Sequence, residues 1–496
     1  MVAGTARLSP GYPSLSTRGR ARKRSEPRMA TPPATTGSAT IDFSANPYRT
    51  ILKLALPTVV AMLSQSVVNE IDLIFFRMLP APEDSNAQAA LMPCLMLVWL
   101  FGGSISAISV GTQALTARRI AEGDRDGASA VLSNALAFSL VAGPISTLAA
   151  YLILPTVLAK QLGGGALQIG LDYAKWRLLG ILSMALTFGL KGFYDGIGRT
   201  YVHFWAAIVM NVLNVLFCWM FIFGHLGAPR MGAAGAGLSG LASTWIGCFI
   251  MIGFTVAARK EFSFFRWSAL SRSLLWAILK LSIPAALATA VMMGGFQRLL
   301  AVVGELDRLS PHASGEAVNG AASNLVIGVL KLTFTACIAF GTSTATLVAQ
   351  ALGAKRPDDA DRYGWASVRL GLVVFGLVGL CEGVFFTRQI VEFVSDSEYV
   401  RAAMMGPMRL MGIVTPVLSV GMILSEALFG AGAPRFVAVT QFVLIFFVLL
   451  PLAHLFALTL SIGLLGVWLG ATVYVVFAAA AMAFKFKRGA WKHIQI

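Results

Sequence analysis

The chain has 496 residues, of which 57% are hydrophobic and only 12% charged, and its mean hydropathy is +0.74. A soluble domain carries roughly 25% charged residues, so a water-soluble fold of this length is excluded for want of polar surface. The net charge of +16 is read as basic loops on one membrane face rather than as a nucleic-acid surface.

Residues 1–48 contain Arg7, Arg18, Arg20, Arg22, Lys23, Arg24 and Arg28 among many Ser, Thr, Pro and Gly residues. There is no apolar run of the signal-peptide kind. The reading is a disordered basic tail in the cytosol, with an organelle-targeting segment as the alternative. Apolar runs long enough to cross a bilayer, about 20 residues, then recur. We place them at 51–76, 88–117, 128–155, 173–195, 201–224, 232–257, 276–303, 319–349, 363–387, 400–428, 434–460 and 463–484. They must be helical, because irregular backbone facing lipid leaves its polar groups unsatisfied. Residues 485–496 carry Lys485, Lys487, Arg488 and Lys492 and form a second basic tail.

Loop charge orients the spans. One side receives Arg118, Arg119 and Arg125, then Lys191 and Arg199, then Arg259, Lys260, Arg266 and Arg272, then Lys355, Arg356 and Arg362, then Arg435. The other side has fewer basic residues and holds Glu83, Asp84, Glu305, Asp307, Glu316, Asp396 and Glu398. Both basic tails fall on the richer side, which predicts cytoplasmic termini.

The chain is also duplicated. "KLALP" (Lys53 to Pro57) returns as "KLSIP" (Lys280 to Pro284), and "GTQALTARRIAEGDRDGA" from Gly111 as "GTSTATLVAQALGAKRPDDA" from Gly341. "YDGIGRT" (Tyr194 to Thr200) answers to "LFGAGAPR" (Leu428 to Arg435), and "GAAGAGLSGLAST" from Gly232 to "GLLGVWLGAT" from Gly463. Six spans per half give both halves one orientation, so the repeats are parallel and face each other across a central cleft. The expected organisation is a lobe at 49–257, a linker at 258–275 and a lobe at 276–484.

Polar groups inside apolar runs are costly and mark sites or helix ties. Asp72 is the leading candidate for binding a proton or cation; hydration near the outer end is the competing reading, and the stronger one for Glu70. Gln65 and Asn69 share a helix face and are candidate cleft residues with Asp72. Asn211 and Asn214 either coordinate an ion or tie helices together. Gln297 and Asn324 are further cleft candidates. Arg298, Glu382 and Glu426 are candidates for helix pairing or secondary coupling, Arg298 with Glu382 in particular. Lys191 and Asp195, four apart, make a local ion pair at the interface.

The five cysteines show no CxxC and the five histidines no HExxH, which argues against disulfide and metal sites. Without a GxSxG elbow, a Walker A motif or a kinase set, an enzyme is not indicated.

The motifs in this order resemble the multidrug and toxic compound extrusion (MATE) family over residues 49–484. Pro57, Gln65 and Asp72, "TARRIAEGDRDGA", "GFYDGIGRT", "NVLN", "MGAAGAGLS" and the second-half echoes carry the resemblance. It implies an all-α polytopic membrane protein, with twelve transmembrane helices in two parallel six-helix repeats forming a V-shaped central cleft. It also implies export of organic, cationic or amphipathic solutes against inward H⁺ or Na⁺, without a cofactor. The expected location is a bacterial inner membrane, and the expected state a monomer among lipids. The family's first-span aspartate falls on Asp72, with Asn211 and Asn214 as its neighbours. The acidic residue that many relatives carry further along the fifth span is replaced at Phe217 or Cys218. Two other readings stand beside export. One is a flippase for a lipid-linked oligosaccharide or other large amphipath, kept open by Arg298 and Lys331; the other is a non-transporting scaffold or receptor.

Overall fold

The structure is a computed structural model that describes residues 43, 45–264, 267–309 and 317–494, apart from the side chains at 67–71, 73, 161 and 267. The basic tail and the side chains of Asn69 and Glu70 lie outside the described residues.

Ten described segments are long and apolar enough to cross a membrane. The first span, Pro47–Arg77, and the fourth, built of Gly164–Leu179 and Ile181–Gly196, complete the twelve. The second, third, fifth and sixth spans are Glu83–Ala121, Arg125–Lys160, Tyr201–Phe223 and Ala233–Lys260. The seventh to twelfth are Arg272–Leu309, Val318–Gly353, Pro357–Phe385, Glu398–Gly430, Pro434–Thr459 and Leu464–Arg488.

The ends follow local chemistry. Pro47 starts the first span at a position where its missing N–H costs nothing, and Oδ1 of Asn46 accepts from the Tyr48 N–H at 3.0 Å. Asp124 caps the third span by accepting from the Gly127 N–H at 2.7 Å. Gly224 ends the fifth span with φ of 80°, a left-handed conformation that glycine adopts without strain.

Where the hydrophobic cores sit gives the molecule its shape. Away from the basic loops, one core draws only on the first half, from Phe76 to Ala236, and another only on the second half, from Leu299 to Ala471. At the basic end the halves share cores. Ile51, Leu54 and Ala55 of the first span pack with Phe340, Leu347 and Val348 of the eighth, and Ile108 and Leu115 of the second span with Ile278 and Leu281 of the seventh. Two six-helix bundles therefore join at the basic end and separate toward the other, leaving a V-shaped cleft.

One expectation from the sequence is corrected. The fourth span begins at Gly164 instead of 173 and breaks at Gly180, where a Cβ would meet the Thr244 hydroxyl of the sixth span at 3.3 Å. Asp172, Lys175 and Arg177 dilute its hydropathy, so its first two turns read as loop. The second basic tail packs on the span it follows. A short turn, Ala490–His493, buries Trp491 against Phe486, with ring centroids 4.4 Å apart.

Candidate functional site

Asp72 is buried in the seam between the first and fifth spans, and its Oδ1 lies 3.5 Å from the thiol of Cys218. Nδ2 of Asn211 donates to the Ser64 hydroxyl at 2.8 Å, which fixes the same parallel register eight residues earlier on the first span. Asn211, Asn214 and Cys218 recur at i, i+3 and i+7, so they form one stripe of the fifth span, and all three are buried. The stripe also meets the sixth span. Asn214 donates to the Ser243 hydroxyl at 3.2 Å, and Cys218 hydrogen-bonds Ser239 one turn away.

The fourth span closes the cluster. Tyr173 and Arg177, four residues apart, lie on one face, and Tyr173 meets Phe76 edge to face at 6.1 Å. Glycines of the sixth span allow this approach. A Cβ at Gly237 would strike the Tyr173 carbonyl, and one at Gly240 would strike the Arg177 guanidinium, a small-residue packing familiar from membrane helices. The Tyr173 hydroxyl, Nε of Arg177 and Oδ1 of Asn211 are buried without a hydrogen-bond partner. Chemically, the seam offers one carboxylate, one guanidinium, neutral hydroxyl, thiol and amide groups, and spare hydrogen-bonding capacity.

Of the candidates singled out in the sequence, the structure brings Asp72, Asn211 and Asn214 into one seam, although neither amide hydrogen-bonds Asp72; their partners are serines. Gln65 is half-buried on the first span. Gln297, Arg298 and Asn324 are exposed on the seventh and eighth spans. The suggested Arg298–Glu382 pair does not form: Glu382 accepts from the Thr333 hydroxyl at 2.6 Å, and its Oε2 is buried without a partner. Glu426 packs beside Gly341, within electrostatic reach of Lys191. Lys191 and Asp195 do pair, at 2.7 Å, but deep in the seam between the halves, where Asp195 is 1% exposed, and not at a hydrated interface.

The sequence reading passed over Arg177, Tyr173, Ser239 and Ser243. The available signal was the aromatic–arginine pair spaced by one helical turn, just ahead of an apolar run. Among the described residues the second half has no equivalent cluster. The offset between Pro57 and Pro284, 227 residues, carries Asp72 onto Leu299. Leu299 sits in an apolar core with Met404, Met408 and Met411.

The MatE family profile matches residues 57–220 and 284–455. The chain is 24% identical over 457 residues to the probable multidrug resistance protein NorM of Thermotoga maritima, covering 89% of this chain and 92% of that one. It is 26% identical over 456 residues to the NorM protein of Agrobacterium fabrum, covering 88% and 93%. Its fold superposes on a MOP superfamily transporter from Pyrococcus furiosus with a TM-score of 0.83, at 20% identity and with 93% and 100% of the two chains covered. An outward-facing multidrug resistance MATE family transporter gives a TM-score of 0.80 at 20% identity, covering 90% and 97%.

Proposed function

We propose that this chain, which belongs to the MatE family of multidrug and toxic compound extrusion transporters, is a secondary antiporter that exports organic, cationic or amphipathic solutes in exchange for H⁺ or Na⁺. The observation that carries this reading is Asp72, a carboxylate buried in a polar seam of one bundle of a V that is closed at one end. A buried carboxylate between membrane helices is retained for ion or proton traffic far more readily than for packing. Two bundles joined at one end suit alternating access, in which the ion biases the equilibrium between outward- and inward-open states by binding one of them more tightly.

In this reading the two lobes are 49–257 and 276–484, joined by the linker 258–275. Asp72 takes the coupling ion, and Asn211 and Asn214 set the hydrogen-bonding of its seam. The basic end faces the cytoplasm of a bacterial cell, and the protein works as a monomer in the inner membrane. Solute enters from the cytoplasm or inner leaflet and leaves through the open end of the V.

The test is transport of a chemically varied solute panel in proteoliposomes under imposed H⁺ or Na⁺ gradients. Asp72→Asn should abolish gradient-driven transport while the purified protein keeps wild-type helicity and thermal stability. Full activity in that variant sinks Asp72 as the coupling residue.

A further inference from the structure

Asp72 and Arg177 are set at one depth by helices that run in opposite directions. Phe76 and Tyr173 make the edge-to-face contact, with Asp72 four residues before Phe76 and Arg177 four residues after Tyr173. The first span runs away from the basic end and the fourth runs toward it. One turn back along the first and one turn on along the fourth therefore reach the same level. Arg177 is held over Gly240 of the sixth span, next to Ser239, which bonds the thiol that touches Asp72. Its charge is felt at Asp72.

We propose that Arg177 is the resident counter-cation of Asp72, and that it makes this seam a site that accepts a proton and excludes Na⁺. The inference rests on the antiport reading and deepens it by naming the coupling ion. A hard metal cation such as Na⁺ needs several oxygen ligands in place of its water. Among the described side chains of the seam a single carboxylate is available, and one of its oxygens already meets a thiol. Among the described residues, the groups that face it are Cys218 from the fifth span and Tyr173 and Arg177 from the fourth; Ser239 of the sixth bonds Cys218, and Cys94 of the second span approaches Tyr173 and donates to the Gly170 carbonyl. The guanidinium repels a second cation. A proton needs no such cage, only one carboxylate oxygen.

Protonation also has a mechanical consequence. It removes the negative partner and leaves a guanidinium uncompensated among apolar helices, an expensive state. The protonated seam favours an arrangement in which Arg177 reaches the cleft. The segment that carries it, Gly164–Leu179, ends at the break of Gly180, where it can tilt independently of Ile181–Gly196.

The experiment measures proteoliposome transport under a pH gradient or a Na⁺ gradient alone, for the wild-type chain, Arg177→Lys, Arg177→Gln and Asp72→Asn. A parallel thermal-unfolding series compares NaCl with choline chloride at equal ionic strength. The wild-type protein should respond to the pH gradient only and show no Na⁺-specific stabilisation. Arg177→Lys should retain most of the activity. Arg177→Gln should lose pH-driven transport by about tenfold or more, with its pH profile displaced by about one unit or more. Na⁺-driven transport by the wild type, or a Na⁺-specific stabilisation that Asp72→Asn removes, overturns the inference while leaving antiport standing. So does an unchanged pH profile in folded Arg177→Gln. The wild-type Na⁺ measurements decide the matter even where that variant fails to fold. Solute transport that neither gradient drives in the wild type overturns the antiport reading and the inference together.

Discussion

Two glycines one helical turn apart on the sixth span do different jobs. At Gly237 an added Cβ meets the carbonyl oxygen of Tyr173, which is backbone and cannot yield; at Gly240 it meets the tip of the flexible Arg177 side chain. Gly237→Ala should therefore push the fourth and sixth spans apart and cost roughly 1–3 kcal/mol, seen as a lower unfolding temperature in detergent. Gly240→Ala should leave the unfolding temperature close to wild type, displace the guanidinium and reduce transport as Arg177→Gln does. Equal destabilisation by the two substitutions counts against this assignment of contacts. The glycines themselves were legible in "GAAGAGLSGLAST", but what each one faces was not, because helix spacing fixes a face and not the neighbour it meets.

At the scale of single elements, the fourth span and the terminal turn depart most from the hydropathy reading. An arginine near the start of an apolar run is easily passed over, because in sequence it looks like an anchor at the membrane surface. Arg177 is half-buried inside the bundle because Gly240 of the sixth span leaves room for its side chain and Gly237 lets the two backbones approach. The terminal turn docks in a similar way. Arg118 of the second span donates to the Ile494 carbonyl at 2.7 Å and to the Ala431 carbonyl at 2.9 Å, tying the terminal turn and the end of the tenth span to the first half. Lys492 adds longer contacts, 3.6 Å to Asp358 and 3.8 Å to Asp361. Trp491→Ala should release this strap at a cost of roughly 3–5 kcal/mol. The expected result is a lower unfolding temperature and faster protease cleavage at the basic end. Unchanged proteolysis means that the strap contributes little to closure.

At the scale of the whole molecule, the duplicated motifs turn out to hold the halves together. Nε2 of Gln113, in "GTQALTARRIAEGDRDGA", donates to the Thr342 carbonyl and the Thr346 hydroxyl, both at 2.8 Å, in the matching motif of the other half. The Thr346 hydroxyl donates to the Asp195 carbonyl at 2.9 Å, and Gln350 donates to the Gly196 carbonyl at 2.7 Å, both in "YDGIGRT". This polar latch lies in a buried seam, and the alternating access proposed above would require it to open. Gln113→Ala with Gln350→Ala removes three of these bonds, each worth about 1 kcal/mol net, and should favour the basic-end-open state by roughly two orders of magnitude. Spin-label distances across the basic end, in a Cys381→Ser background that removes the exposed native thiol, should lengthen. Unchanged distances argue that apolar packing alone keeps that end shut.

The sequence by itself determined the solvent, the number of spans, the duplication and the family. Each follows from composition, from runs of apolar residues or from motif order, all of which can be read along one dimension. It also singled out Asp72, because a carboxylate inside such a run has a cost that needs no neighbour to be recognised. Only the tertiary structure decided what Asp72 faces: a thiol at the point where the resemblance led one to look for an acid, and a guanidinium from a span whose start looked like loop. The physical reason is that interactions across a helical bundle join residues far apart in sequence, 146 between Asp72 and Cys218. Their register is set by which small side chains let two backbones approach, a property of pairs of helices that no single stretch of sequence contains.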